Sequence, residues 1–437
     1  MSENPNLPHD QDPQDRPGDP AGPAPVRSNA GEPDGAPNRW RRRAILFLAS
    51  QSITLFGSTL VQMAIVWYVT LETSSGAWVS ALTVCSYLPQ FLISFLGGVL
   101  SDRYSKKKLI LLADGVIAAA TLVLILAMPG IRAGAPLLGA ILVVSVIRSL
   151  GAGIQTPAVN AVIPVLVPEQ QLMRFNGINA TMQSVMQFAA PAAAGAILSL
   201  GTLRDSLMID LGTAAVGMGL LAFLAIPRQR ATPSAQGVLT DMKSGVRYAF
   251  SDAFLKRLLA AYGLFIFLCV PAGFLATLLV SRVYGDSYWY LTAVELTGFA
   301  GMTAGGLLMG TWGGFKRRTV TLVVGLAAFG ALAAGMGLSR AFPLYLVLML
   351  FYGVALTMVQ TAVTTLLQAR AKPEMQGRIF GLMGSMYSGF LPIGMAVFGP
   401  LADAVPLQAI MVFSGAALLL MALWLRLDPR FFERRRR

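Results

Sequence analysis

Four ionisable side chains stand apart inside long apolar runs of this chain: Asp114, Arg148, Asp210 and Glu295. Carboxylates in such a setting can take up and release protons, and an arginine there must find an acceptor, so the chemistry on offer is proton transfer or ion pairing within a membrane. Arg148 falls near the middle of its run, where an arginine costs about 2.5–3.5 kcal/mol on insertion scales, so it should face the protein interior. Glu295 lies roughly 9 Å from the outer end of its helix, and Asp210 is shallower still. Either carboxylate suits proton coupling, and either equally suits a salt bridge or a water-facing mouth. Asp114, near the opposite end of its run, reads as a partner of nearby cations. No imidazole competes for these roles, because the single histidine, His9, lies in the N-terminal tail.

A second charged constellation lies between apolar runs, from Gly97 to Lys108 (Gly-Gly-Val-Leu-Ser-Asp-Arg-Tyr-Ser-Lys-Lys-Lys). It packs one carboxylate and four cations into a short turn. Gly98 allows close helix approach, Asp102 can cap a neighbouring helix N-terminus, and Arg103, Lys106 and Lys107 hold the turn at a phosphate layer.

The elements that position these groups follow from hydropathy. Hydrophobic residues make up 55% of the chain and charged residues 13%. About 20 mostly apolar residues are needed to cross a bilayer as a helix, and the runs do not alternate as barrel strands would. Twelve spans are expected, at 44–70, 77–100, 109–129, 136–160, 178–200, 207–226, 257–282, 289–312, 319–338, 343–367, 379–401 and 405–426. Residues 1–38 hold nine prolines and seven acidic residues, a composition that predicts a disordered acidic tail. The two cysteines, Cys85 and Cys269, fall inside spans, with neither disulfide nor metal spacing around them.

Of the 34 Lys and Arg residues, 27 fall in one set of alternate segments, against four (Arg132, Arg204, Arg282, Arg340) in the other. That bias places both termini in the cytoplasm of a cell inner membrane or plasma membrane. The basic balance, net charge +13, is then a topology signal toward an anionic inner leaflet, and no nucleic-acid partner is required. The polar stretch 227–256 divides the chain into six-helix halves, 39–226 and 257–426, ahead of a basic tail at 427–437. A shift of 205 residues superposes Gln155-Thr156 on Gln360-Thr361 and Pro168-Glu169 on Pro373-Glu374. Such a repeat implies duplicated halves with a transport path between them.

The turn resembles motif A of the major facilitator superfamily, with Gly98, Asp102, Arg103, Lys106 and Lys107 in its positions and Ser105 in place of a common glycine. Arg148-Ser-Leu-Gly-Ala-Gly153 is similar to motif B of proton-coupled drug exporters, and Ala190-Pro191-Ala-Ala-Ala-Gly195 is similar to a degraded motif C, the antiporter signature. Together with Gln62-Met63-Ala64-Ile65, Thr156 to Val162 and Ala304 to Leu308, these stretches resemble the macrolide-efflux and enterobactin-exporter branch over about residues 43–426. The resemblance implies a role for Arg148 in proton transfer and for motif A in locking the halves. The matching turn at Gly305 to Arg318 keeps cations without the Asp, so that lock would be asymmetric. The first span carries no acidic residue, so a coupling group seen there in many relatives has no counterpart.

The expected protein is therefore an all-α membrane protein, a monomer that exports amphiphilic, macrolide-like molecules against inward proton flow, without cofactor or metal. A siderophore or metabolite exporter shares these features; a non-transporting scaffold or a lipid flippase of the same fold is the alternative of another class. No nucleophile, metal or nucleotide signature suggests an enzyme, and there is no P-loop. Phe56, Gln183, Gln187, Phe265, Gln360 and Tyr387 are candidate substrate contacts, since large soft groups and amides suit an amphiphile.

Overall fold

A computed structural model of the chain describes residues 37–168, 171–226, 246–428 and 431. The expectations for the acidic tail over 1–36, for linker residues 227–245 and for the basic tail from 432 onward fall outside the described residues. Among the described residues, helices run α1 Pro37–Thr73, α2 Gly76–Arg103, α3 Lys106–Ala127, α4 Ala135–Leu166, α5 Leu172–Leu200, α6 Leu203–Phe223, α7 Ala253–Gly273, α8 Ala276–Val283, α9 Tyr288–Trp312, α10 Arg318–Leu338, α11 Phe342–Arg370, α12 Pro373–Ala404 and α13 Leu407–Leu427.

Among the described residues, eleven segments are long and apolar enough to cross a membrane, α7 and α8 counting as one. The remaining long helix, α5, has the length but not the hydropathy, because Gln183 and Gln187 dilute its apolar run. It nonetheless packs within the bundle against α1 and α9, in the place of a twelfth span. The seventh span is not continuous as its sequence suggests. Pro271 and Gly273 weaken the helix there, and the N–H groups of Phe274 and Leu275 both turn back to the Val270 carbonyl before α8 begins.

The outside of the bundle is apolar. Leu126, Phe223, Leu338 and Phe413 are each more than two-thirds exposed. Lipid covers such side chains without cost, whereas water would not.

Helix pairing repeats between the halves. In the first half α2 packs on α4, α3 on α4 and α6, and α1 on α5 and α6. In the second, α9 packs on α11, α10 on α11 and α13, and α7 on α12 and α13. This is one packing scheme used twice, and the two most extensive contacts joining the halves, α2 with α12 and α5 with α9, exchange under the same symmetry. A local tie on the second half comes from Asp252. Its Oδ1 accepts the N–H groups of Phe254 and Leu255 at the start of α7, and Arg370 of α11 donates to Oδ2 at 2.9 Å. Burial pushes this carboxyl up, but those hydrogen bonds prevail and hold it below the usual carboxylate range. The tie therefore contributes above ordinary carboxylate pKa values and is lost as pH falls through the lowered one.

Candidate functional site

The start of α1 and the end of α13 lie at one end of the bundle, called here the terminal end; the other is the far end. Four features along this axis concern function.

The first is a buried polar cluster inside the first half. Asp114 and Thr121 are seven residues apart on α3, and Arg148 and Gln155 are seven apart on α4, so each pair lies on one helix face two turns apart. Arg148 Nη1 donates to Thr121 Oγ1 at 2.6 Å and forms an ion pair with Asp210 of α6. Two turns toward the terminal end, Gln155 Nε2 donates to Asp114 Oδ1 at 2.5 Å. Arg148 is 8% exposed, and Asp114 and Asp210 are each 2% exposed. Asp210 is thus a buried ion-pair partner and not a mouth residue. For Asp114 the expectation of a cationic partner is not met among the described residues: its partner there is an amide, because the neighbouring helix face presents Gln155.

The second is Glu295 on α9, part-buried, with no hydrogen bond or ion pair among the described residues. It lies within electrostatic reach of Tyr87 on α2, across the boundary between the halves. One turn away, Thr292 fills the space beside Gly195 of α5; a Cβ on Gly195 would stand 1.9 Å from the Thr292 hydroxyl. Small residues around Pro191 therefore let the halves close on each other here.

The third is an open cavity of about 450 Å³ on the terminal side of that contact, lined by α5, α9 and α11. Gln187 and Phe188 line it from the first half, and Phe299, Met302, Gln360 and Thr361 from the second. Of the expected substrate contacts, Gln187 and Gln360 reach this cavity. Gln183 is exposed one turn below Gln187, Tyr387 is 37% exposed on α12, and Phe56 packs partly against the core. Phe265 is a correction: at 1% exposure, edge-on to Phe329 at 4.9 Å, it belongs to the core of the second half. A large ring on the inner face of α7 is what that helix needs to pack on its neighbours, so its size carried no ligand signal.

The fourth, at the far end, joins the halves. Asp403 at the end of α12 accepts from Ser75 Oγ at 2.7 Å and from the N–H groups of Gly76 and Ala77 at 2.6 and 2.9 Å. Arg282 at the end of α8 pairs with Asp403 at 2.6 Å and donates to the Ser74 carbonyl. A carboxylate from the second half thus caps the N-terminus of α2 in the first. Just below, a Cβ on Gly399 would fall 1.5 Å from Ser80 Oγ, so only glycine admits this approach of α12 to α2. In sequence Arg282 is one of four cations on the sparsely charged side, and Asp403 is a carboxylate on that same side, which is the signal available for this pair.

At the terminal end, Lys107 Nζ donates to the carbonyls of Ala222 and Leu224 at 2.7 and 2.8 Å, closing the negative end of α6. Lys106 lies part-buried in the first turn of α3. The surroundings of Gly98 and the side chains of Asp102 and Arg103 fall outside what the structure describes.

Two helical bundles built on one pairing scheme, tied at one end and parted by a cavity below the tie, define a multi-pass membrane transporter. The chain belongs to the Major Facilitator Superfamily, whose sequence model matches residues 47–392. It is 29% identical to macrolide efflux protein A of Streptococcus pyogenes over 390 residues, covering 88% of this chain and 96% of that protein. It is 25% identical to the multidrug efflux pump Tap of Mycobacterium tuberculosis over 399 residues, covering 85% of this chain and 90% of the pump. Among solved structures, the nucleoside transporter NupG superposes with a TM-score of 0.70 at 14% identity, covering 90% of this chain and all of that one. The D-xylose–proton symporter superposes at 0.65 and 14%, covering 87% and 96%. At such identities these two speak for the fold alone.

Proposed function

We propose that this chain is a secondary active exporter of amphiphilic small molecules such as macrolide-like drugs, exchanging them for protons as its halves rock about the central path. The near full-length similarity to an efflux protein named for macrolides carries this reading. The cavity between the halves supports it, since a path needs a site reachable from each side in turn. The excess of Lys and Arg in alternate segments supports cytoplasmic termini, so the cavity would face the cytoplasm and the far end the outside. In this reading residues 39–226 and 257–426 are the moving halves, 227–256 the linker, and the protein works as a monomer in a cell membrane.

Coupling is assigned to Arg148, Asp210 and Glu295. The first two form a buried pair, which a proton arriving at Asp210 would break, while Glu295 stands at the seam where the halves separate. Gly98, Asp102, Arg103, Lys106 and Lys107 form the cytoplasmic lock, with Pro191 and Gly195 the close-packing helix of the antiporter type. Efflux from cells loaded with a panel of macrolides, siderophores and cationic dyes tests the substrate class. Macrolides should leave fastest; selective export of siderophores, or of nothing, refutes this reading. For coupling, the Glu295→Gln/Asp210→Asn double variant in proteoliposomes should abolish substrate-induced proton movement. Unchanged proton movement in that variant would remove both carboxylates from the mechanism.

A further inference from the structure

The chemistry of the cavity between α5, α9 and α11 is narrower than its position requires. Among the described residues no acidic or basic side chain lines it, yet seven of its eleven lining residues are threonine or glutamine, five of them threonines. Those threonines are not equivalent. Thr303 donates to the Phe299 carbonyl at 2.9 Å, Thr357 to the Met302 carbonyl at 3.1 Å and Thr365 to the Thr361 carbonyl at 2.6 Å. Their protons are committed to backbone, so they offer a ligand only lone pairs. By contrast, no protein hydrogen bond among the described residues engages the side chains of Gln187, Gln360, Thr361 or Thr364, which keep both amide groups and both hydroxyl protons for a visitor. Phe188, Phe299 and Met302 supply an apolar wall beside them.

A charged group entering this cavity would lose the part of its water that the walls displace and gain no counter-charge, which is costly. A purely apolar guest would leave the two amides and two hydroxyls without partners, which is also costly. Only a guest with hydroxyl, ether, ester or ketone oxygens on one face and hydrocarbon on the other satisfies both walls. The volume falls within the usual range of small-molecule sites, about 300–1,000 Å³.

We infer that this cavity recognises the uncharged, oxygen-rich face of the exported molecule, through donors on Gln187, Gln360, Thr361 and Thr364. The inference rests on the export reading and sharpens it: selection is by neutral oxygen pattern, and any cationic group of a substrate lies outside this cavity. Because Gln187 belongs to one half and Gln360 to the other, a bound molecule bridges the moving parts.

Calorimetric binding to the purified full-length chain tests the site without transport. The probes are erythronolide B, an uncharged macrolactone bearing hydroxyls and carbonyls, and ethidium, a flat cation with few acceptors. Gln187→Leu and Gln360→Leu should each weaken erythronolide B about five- to tenfold, and together at least about thirtyfold, while the Kd for ethidium moves less than about twofold. The Thr361→Val/Thr364→Val pair removes two donors at constant shape and should weaken erythronolide B about tenfold, which decides the matter if the leucine variants fail to fold. Failure of wild type to bind erythronolide B, insensitivity of its Kd to these changes, or equal loss for both probes overturns the inference. Binding that follows the expected pattern in a protein that effluxes nothing would instead refute export and leave the site standing.

Discussion

Replacing Asp403 with alanine should open the far end. In the present arrangement that carboxylate accepts three donors from the start of α2 and one from Arg282, and every one of the α2 donors belongs to the opposite half. Loss of the carboxylate leaves two backbone N–H groups of α2 to water, which is tolerable at an exposed end, and frees Arg282 from its ion pair. Charge-assisted hydrogen bonds contribute about 1.5–3 kcal/mol each when sheltered. Here the Asp403 and Arg282 side chains are 32% and 27% exposed, so solvent screening reduces the whole set to about 2 kcal/mol. That is roughly thirtyfold in the ratio of far-end-closed to far-end-open molecules. Spin labels at Leu200 and Trp289, both exposed at the far ends of α5 and α9, would read it in a chain with Cys85 and Cys269 replaced. Wild type should give one short distance and Asp403→Ala a dominant longer one, with Asp403→Asn between them because one acceptor oxygen remains. An unchanged distance distribution would mean that the glycine contacts, not the clasp, hold this end shut.

The same experiment bears on the terminal end. Asp102→Asn should act in the opposite sense, weakening the arrangement in which the terminal end is closed, and should do so more than neutralising Lys316, Arg317 or Arg318, since the second turn carries no acidic residue. Equal effects at the two turns would reduce the first turn to a topological anchor.

Much of this architecture is legible in sequence because lipid leaves the chain few options. Apolar runs of the right length must close their own hydrogen bonds, so helices and their alternation follow from hydropathy alone. The landmarks of the repeat are also visible, but their roles are not. Gln155 and Gln360 align under one shift, yet the first holds Asp114 inside its half and the second faces the cavity. What separates them is the helix each one meets, and one sequence does not encode that neighbour locally. The far-end clasp was hidden for the same reason. Asp403 meets Ser75 across 328 residues and Arg282 across 121, and each partner by itself looks like an ordinary loop charge. The threonines of α11 carry no local signal, because a threonine in a span usually serves its own helix, as Thr365 does here. The break at Pro271 left a visible mark, a proline two residues before a glycine, but a proline within a span is more often tolerated, as Pro89, Pro157 and Pro191 are.

The largest loss of stability should come from Arg148→Met. The guanidinium joins α4 to Asp210 on α6 and Thr121 on α3, all within a few per cent of full burial. Methionine matches the aliphatic length but leaves the Asp210 carboxylate without its cation, and stranding one member of a buried pair costs about 3–5 kcal/mol. Thermal unfolding of the detergent-solubilised protein should show a fall of several degrees in apparent Tm. Arg148→Met/Asp210→Leu removes both charges and should recover most of that loss, because two apolar groups of similar volume replace a pair whose desolvation was itself costly. The double variant is informative for function as well. If the pair only braces the first half, transport should return with stability. If a proton at Asp210 releases Arg148 during the cycle, the double variant should fold like wild type yet bind and release substrate without moving protons. Recovery of both stability and proton movement would confine Arg148 and Asp210 to a structural role and leave Glu295 as the coupling carboxylate among the three.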